Sequence, residues 1–477
     1  MMEQDNLVFT LSGIRGLPNK DLNFNTVKKI AIAYGLWFEG TDRKVVIGRD
    51  TRPSGTIIER AVIEGLIATG FKLLNLGICP TPVIIHTKNK LSVPGGIIIT
   101  GSHNPQEWNG LKLLSTKTFL GNADLEIISN HFKKVDLNSF QKIKSSSKNN
   151  IENLNPIKNY IQDLFNHIDY RQVKKHNNLK AVIDTGAGAG KFVTPKVLGE
   201  LGCEVKLIND ELLVNKDFPR EIEPVVRNLK DLIMEVWQEK YDIGFAHDTD
   251  ADRLAIIGEN GVCYPEDIGL ALITDYFLKT QEDNKKELFF VTNLASSLRF
   301  EAIAEKYNTQ VIRTPIGEKF LTEKMGDLLK DPSKNRLVFG GEGSCGGVMF
   351  PYFNMTRDGI FAAAKIIEIL VKTGQKVSKL VEKLPKYYSY RAKINIKNMN
   401  TKLIIDNLKT ELKQEGELVE QIDQDLRFGQ EKEWFVLIHP SNTETIIRVI
   451  TEAKRESLAR VYCEATSELV KLVIDRM

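Results

Sequence analysis

The chain has 477 residues, 42% hydrophobic and 27% charged, which is a globular composition with ample core and enough length for about three or four domains. Its 65 Lys and Arg nearly balance 62 Asp and Glu, a formal charge of +3, so no overall field for nucleic acid or an anionic membrane is implied and any anion site must be local. Cys79, Cys203, Cys263, Cys345 and Cys463 lack metal-type spacing, the acidic start lacks a signal-peptide core, and no apolar run reaches transmembrane length, so a cytoplasmic protein is expected.

Leu7 to Leu11 reads as a strand, with Ser12 to Gly16 turning out of it. Val45 to Ile47 predicts a second strand, Gly48 to Pro53 a loop, Ser54 to Thr69 a helix, and Leu73-Leu74 the opening of another strand. Ile97 to Ile99 form a short β-branched run that breaks into Gly101-Ser102-His103-Asn104-Pro105, a buried strand opening into a tight loop. Open α/β sheets place ligands at the carboxyl ends of such strands, which makes Ser102 a candidate nucleophile. A bare hydroxyl is a poor one and needs a partner for its charge or proton.

The strand, loop, helix, strand phrase recurs from Ala181–Ile183 to Val205–Leu207 and from Phe289–Val291 to Val311-Ile312, predicting three related α/β domains with mainly parallel sheets. Lys142 to Asn155 has the composition of a linker. The last hundred or so residues change character. Lys393–Ile396, Trp434–Ile438 and Ile446–Ile450 read as strands, and Leu403–Leu412 and Ser457–Ile474 as helices, giving a smaller α+β domain with an antiparallel sheet. The expected boundaries are 1–150, 151–257, 258–387 and 388–477, and the last domain is expected to be removable without unfolding the others.

Asp248, Asp250 and Asp252 alternate between the apolar runs Ile243–Ala246 and Leu254–Ile257. Carboxylates so placed repel one another unless a cation sits among them, and Mg²⁺ takes carboxylates together with phosphate oxygens. A calcium loop is excluded because Arg253 stands where the sharp turn needs glycine and strands flank the cluster instead of helices. Asp184 to Lys191 fails the P-loop pattern, with Thr185 for the first glycine and Phe192 after the lysine, so its glycines are expected to serve a tight turn. Serine, carboxylate triad and arginine point to phosphoryl transfer.

Thr100–Pro105, Asp248–Arg253, Gly341–Gly346 and Pro440–Arg448 resemble, in order and one per domain, the four signature loops of the α-D-phosphohexomutases. The resemblance spans nearly the whole chain and implies four domains around a central cleft. It implies Ser102, Lys112, Arg15 and His103 as the catalytic set, with Lys112 carrying the proton, and one Mg²⁺ held by Ser102 through its phosphate together with Asp248, Asp250 and Asp252. Arg253, Glu342, Ser344, Ser441, Asn442, Thr443 and Arg448 are the implied substrate-binding residues, Asn109-Gly110 bending the chain ahead of Lys112. The implied reaction interconverts hexose 6- and 1-phosphates through a hexose 1,6-bisphosphate, which also serves as activator. Glucosamine phosphate is the favoured substrate, then mannose and glucose phosphates; a metal-dependent phosphatase and a silent sugar-phosphate binder are the other classes. A monomer or homo-oligomer is expected. Three departures stand out: Gly346 where many relatives have histidine, His439 for arginine, and Thr445 for proline.

Overall fold

The computed structural model describes residues 7, 9–140, 150–281, 286–343, 346–396, 399–441 and 445–477. They divide into two compact units, one of residues 1–273 with 345–382 and the other of 274–344 with 383–477.

The first unit opens with a seven-stranded sheet ordered Phe9–Thr10, Gly13–Gly16, Asn109–Leu114, Gly95–Ile99, Lys44–Arg49, Lys72–Ile78, Ile151–Asn153. Gly95–Ile99 is buried throughout and runs parallel to Lys44–Arg49, as a β-branched run covered on both faces should. The helices Phe24–Trp37 and Gly55–Ala68 contribute Ile30, Tyr34, Ile58 and Val62 to the core over this sheet. Three expectations are corrected here. The turn expected at Ser12 to Gly16 is itself a strand, because Thr10 Oγ1 donates to the Gly13 carbonyl at 2.7 Å and Phe9–Thr10 folds back on Gly13–Ile14. Asn109 and Gly110 do not bend the chain; they begin the strand Asn109–Leu114, which pairs antiparallel with Gly95–Ile99 because Leu111, Leu113 and Leu114 bury there. The linker read at 142–155 ends early, since Ile151–Asn153 adds to the sheet beside Leu73–Asn75; residues 141–149 lie outside those described.

A second, four-stranded sheet is ordered Ala255–Gly258, Ile243–Ala246, Lys180–Asp184, Glu204–Ile208. Ala255–Gly258 alone runs antiparallel, so the aspartate stretch is the loop of a hairpin. The returning segment carries the helix Gly359–Thr373, capped by the Asp358 side chain at its start and closed by Gly374 at φ 63°, where a left-handed residue is needed.

In the second unit Gln310–Thr314, Glu287–Asn293 and Arg336–Glu342 run parallel in that order. The C-terminal sheet is antiparallel, Tyr388–Asn395, Ile446–Ala453, Trp434–Pro440, Asp425–Gln430, Glu420–Ile422, with the helices Thr401–Gln414 and Glu456–Asp475 packed on it through Ile404, Leu408, Val470 and Val473. Leu294 and Leu298 share a core with Phe435, Leu437 and Ile450, and Glu452 accepts from the Leu298 amide at 2.6 Å. The last domain is therefore no detachable appendage: it closes apolar surface of the one before. Among the described residues no helix is long and apolar enough to cross a membrane.

Candidate active site

The loop after Gly95–Ile99 turns at Ser102, whose φ is 49°. A non-glycine residue there is strained and persists only where its surroundings over-determine it. The Ser102 amide donates to Thr100 Oγ1 at 2.8 Å, and its carbonyl accepts from Arg52 Nη2 at 2.7 Å and Thr249 Oγ1 at 2.9 Å. These bonds leave the hydroxyl 3.2 Å from Asp248 Oδ2 and 3.3 Å from His103 Nδ1. Arg253 Nη2 donates to that same Nδ1 at 2.8 Å, so the nitrogen is an acceptor and the imidazole proton lies on Nε2. Burial, then the charges of Arg253 and Arg15, push the His103 pKa well below its ordinary 6.5, keeping the ring neutral. Arg15, on the strand Gly13–Gly16, donates to Asn104 Oδ1 in the same loop; burial lowers its pKa to about 10, against the field of Asp250.

The hairpin loop 247–254 turns at Ala251, φ 54°. His247 is buried, donating from Nδ1 to the Arg253 carbonyl at 2.8 Å while Nε2 accepts from Thr194 Oγ1 at 3.0 Å. Burial lowers its pKa to about 4, so it acts as a neutral brace. Arg220 Nε donates to Asp184 at 2.8 Å and Nη2 to the His247 carbonyl at 2.7 Å. Ala189 N donates to the Thr249 carbonyl at 2.7 Å, and a Cβ on Gly188 would fall 2.8 Å from Thr249 Cα. The glycine-rich stretch thus lets backbone lie against the aspartate loop. Gly359 N supports the loop as well, donating to the Ala251 carbonyl at 3.2 Å.

Asp248, Asp250 and Asp252 are buried and bring carboxylate oxygens within 4.8 Å of one another. Lys112 Nζ, from Asn109–Leu114, lies 2.8 Å from Asp250 Oδ2 and 3.1 Å from Asp252 Oδ2; Thr81 Oγ1 donates to Asp250 Oδ2 at 2.7 Å and Arg357 Nη2 to Asp252 Oδ2 at 2.7 Å. The other oxygens, Asp250 Oδ1 and Asp252 Oδ1, are buried with no hydrogen-bond partner. Two such orphaned carboxylate oxygens beside a third carboxylate make a hard-oxygen donor set that fits Mg²⁺. Burial and repulsion from Asp250 and Asp252 raise the Asp248 pKa well above the carboxylate range. Burial acts on Asp252 in the same direction, but Arg357, Lys112 and Arg253 together hold it below that range.

Ser102, His103, Lys112, Arg15, Asp248, Asp250, Asp252 and Arg253 therefore gather in the first unit. Arg52, Thr249 and Arg357 join them and were not singled out from the sequence. The loop Gly48 to Pro53 was visible there, but neither it nor the stretch around Arg357 has a spacing that announces a partner.

In the second unit Glu342, at the end of Arg336–Glu342, is buried and accepts from Asn293 Nδ2 at 3.1 Å. Ser441 donates its amide to the Ile446 carbonyl at 3.0 Å, and Arg448 pairs across strands with His439. His439 is held by Asp425, Nδ1 to Oδ1 at 2.6 Å, which ties the ring to the neighbouring strand. Ser344, Asn442 and Thr443 lie outside the described residues. Gly346, in the first unit, has φ 68°, and a Cβ on it would sit 2.2 Å from the Leu254 carbonyl oxygen, so this backbone has no room for a histidine.

The sequence matches the phosphoglucomutase/phosphomannomutase alpha/beta/alpha domains I, II and III over residues 6–139, 158–261 and 265–388. A "Phosphoglucomutase/phosphomannomutase" of Thermococcus kodakarensis is 35% identical over 97% of this chain and 98% of its own. A "Probable phosphoglucosamine mutase" of Pyrococcus horikoshii is 32% identical over 98% of each. In fold the chain is similar to a phosphoglucomutase/phosphomannomutase family protein from Burkholderia thailandensis, with a TM-score of 0.82 and 23% identity over 100% of this chain and 98% of that one.

Proposed function

The chain belongs to the α-D-phosphohexomutase superfamily, and from that premise we propose that Ser102 carries the phosphoryl group it exchanges with a hexose phosphate. The enzyme is a phosphomutase, an isomerase. Its proposed reaction interconverts glucosamine 6-phosphate and glucosamine 1-phosphate, a choice supported by the likeness to the Pyrococcus horikoshii relative. Mannose or glucose phosphates are the alternative, which the likeness to the Thermococcus kodakarensis relative favours.

The observation that carries the mechanism is the Ser102 hydroxyl 3.2 Å from Asp248, beside two orphaned carboxylate oxygens and a set of cations. Asp248, Asp250, Asp252 and the phosphoserine would hold Mg²⁺, which when bound neutralises charge on the phosphoryl oxygens. The Ser102 Oγ–P bond breaks as a bond forms from phosphorus to the free sugar hydroxyl, giving a hexose 1,6-bisphosphate that also primes the unphosphorylated enzyme. Lys112, an ammonium between Asp250 and Asp252, gives a proton to Ser102 Oγ, and its amine takes the one the sugar hydroxyl loses. Arg15 and Arg253 stabilise charge on the moving group, and neutral His103 accepts from Arg253 and orients it. Turnover of the bisphosphate and return of its other phosphate to Ser102 completes the cycle. Glu342 and Ser344 are assigned to the sugar hydroxyls, and Ser441, Asn442, Thr443 and Arg448 to the distal phosphate. A cytoplasmic setting is supported by the free thiols of Cys79, Cys203, Cys263 and Cys463.

The test combines intact mass of the protein and its Ser102→Ala variant with turnover on glucosamine, mannose and glucose monophosphates primed by a hexose bisphosphate. A phosphoryl mass lost in the variant and isomer as product are expected. Free phosphate as the only product would make it a phosphatase, and no phosphoryl group on Ser102 even after incubation with bisphosphate would overturn the mechanism.

A further inference from the structure

Arg52 is wholly buried, yet each of its five N–H groups has an acceptor. Nε donates to Asp50 Oδ2 at 3.2 Å, Nη1 to the carbonyls of Pro105 and Trp108 at 2.8 and 2.7 Å, and Nη2 to those of Ser102 and Asn104 at 2.7 and 2.8 Å. The serine loop is folded around this guanidinium so closely that a Cβ on Gly101 would fall 2.6 Å from it. Asp50 anchors it in turn: Oδ1 accepts from the Arg52 amide at 2.9 Å, and Oδ2 accepts from Thr100 Oγ1 at 2.7 Å and lies 2.9 Å from Thr249 Oγ1, whose single proton it shares with the Ser102 carbonyl. Thr249 lies between two of the triad aspartates, and its hydroxyl is also 2.9 Å from the Ser102 carbonyl. One buried hydroxyl therefore bridges the serine loop, the Asp50 carboxylate and the aspartate loop, although 147 residues separate Thr249 from Ser102.

We propose that Thr249, acting with Asp50 and Arg52, is a positioning residue that fixes the separation between the Ser102 hydroxyl and the aspartate loop. The proposal rests on the reading of Ser102 as the phosphorylated residue. Phosphoserine adds close to two negative charges beside three carboxylates, a repulsion that opposes close approach of the two loops until a cation is bound among them. Neither loop is held to the other by a strand ladder at this point, and Thr249 is the side chain whose hydroxyl reaches both Asp50 and the Ser102 backbone. None of the three residues needs to touch the moving phosphoryl group. Their effect is to keep its two ends in line, where a displacement of about 1 Å costs on the order of a hundredfold in rate.

The experiment compares Thr249→Val, which keeps the shape and removes the hydroxyl, with Thr249→Ser, which keeps the hydroxyl. Steady-state turnover on the preferred hexose monophosphate, Mg²⁺ dependence, intact mass and thermal melting are read on the full-length proteins. Thr249→Val is expected to lose roughly 10- to 100-fold in kcat with KM within about threefold of the parent, and to need more Mg²⁺ for half-maximal rate, whereas Thr249→Ser stays within about threefold of the parent in all three. A loss of stability alone would not split kcat from KM in this way, nor be rescued by serine. Should Thr249→Val fail to fold, Thr249→Ala takes its place with the same expectation. A folded hydroxyl-free variant with parental kcat overturns the proposal, as does a Thr249→Ser variant as slow as the valine one. A parent that never carries phosphate on Ser102 is a different failure, visible in the mass before any variant is assayed; it removes the phosphoserine reading and this proposal with it.

Discussion

Replacing Asp250 with asparagine tests the metal site most directly. The carboxylate is buried, with Oδ2 held by Thr81 at 2.7 Å and Lys112 at 2.8 Å and Oδ1 left without a partner. Asparagine has one oxygen for these two places. Turned toward the hydroxyl and ammonium, it presents an NH₂ where Oδ1 stood; turned the other way, it sets N–H groups against the Lys112 ammonium. The first sets N–H groups toward the cation and the second gives it a neutral oxygen in place of a carboxylate; loss of a contact to a charged group is worth about 1.5–3 kcal/mol, so Mg²⁺ affinity should fall by roughly 10- to 150-fold. Calorimetric titration of Mg²⁺ into chelator-stripped Asp250→Asn and parent proteins measures this, with turnover recorded across the same concentrations and circular dichroism confirming the fold. Affinity within about threefold of the parent, or undiminished parental turnover in chelator, would refute the assignment of the triad.

Arg52→Met leaves the Asp50 carboxylate and four loop carbonyls short of a partner, so melting should show a loss of about 3–5 kcal/mol, partly recovered in the Asp50→Asn/Arg52→Met double variant; a loss under about 1 kcal/mol would mean the clamp is energetically idle. Lys88 is buried with Nζ 3.0 Å from the Thr116 carbonyl, and burial lowers its pKa from 10.5 to about 8. The folded state thus binds this proton less tightly than the unfolded one, so its contribution to stability rises from pH 8 to 10.5 and is at its worst below 8. The stability of Lys88→Met relative to the parent should therefore fall by on the order of 3 kcal/mol between pH 7 and pH 10.5; a difference independent of pH would refute the argument. A chain ending at Glu382 strips Phe435, Leu437 and Ile450 from Leu294 and Leu298, so limited proteolysis should cut first within residues 274–344; protection equal to that of the full chain would contradict the shared core.

The elements that could be read from sequence are those whose burial is written into composition. Ile97–Ile99 and Val45–Ile47 are apolar runs covered on both faces, and the alternation of Asp248, Asp250 and Asp252 between two such runs is a local pattern whatever surrounds it. What escaped depends on partners distant in the chain. Asn109-Gly110 has the composition of a turn, but burial of Leu111, Leu113 and Leu114 overrides that preference. Asp425–Gln430 is too polar to read as a strand; it is one because Leu426 and Phe428 face the C-terminal core. Arg52 and Arg357 act on backbone carbonyls and on a carboxylate 105 residues away, contacts that impose no spacing on the sequence. His439 stands where many relatives have arginine, and its bond to Asp425 on the neighbouring strand is likewise a contact that no spacing in the sequence announces.

The unit that holds the serine and aspartate loops is not one continuous stretch of chain, since it takes residues 345–382 after the chain has left to build 274–344. Arg357, which holds Asp252, and Gly359, whose amide supports Ala251, both arrive with that return. At a synthesis rate of about 5–20 residues per second, Asp252 waits roughly 5–20 seconds on the ribosome for a partner 105 residues downstream. During that interval the nascent chain carries its three carboxylates with one cation of the final set still unmade, and the stretch that follows must emerge without occupying the place Arg357 will take. Assembly of the centre is thus a late event in the birth of the protein, and no N-terminal fragment ending before the return can reproduce it.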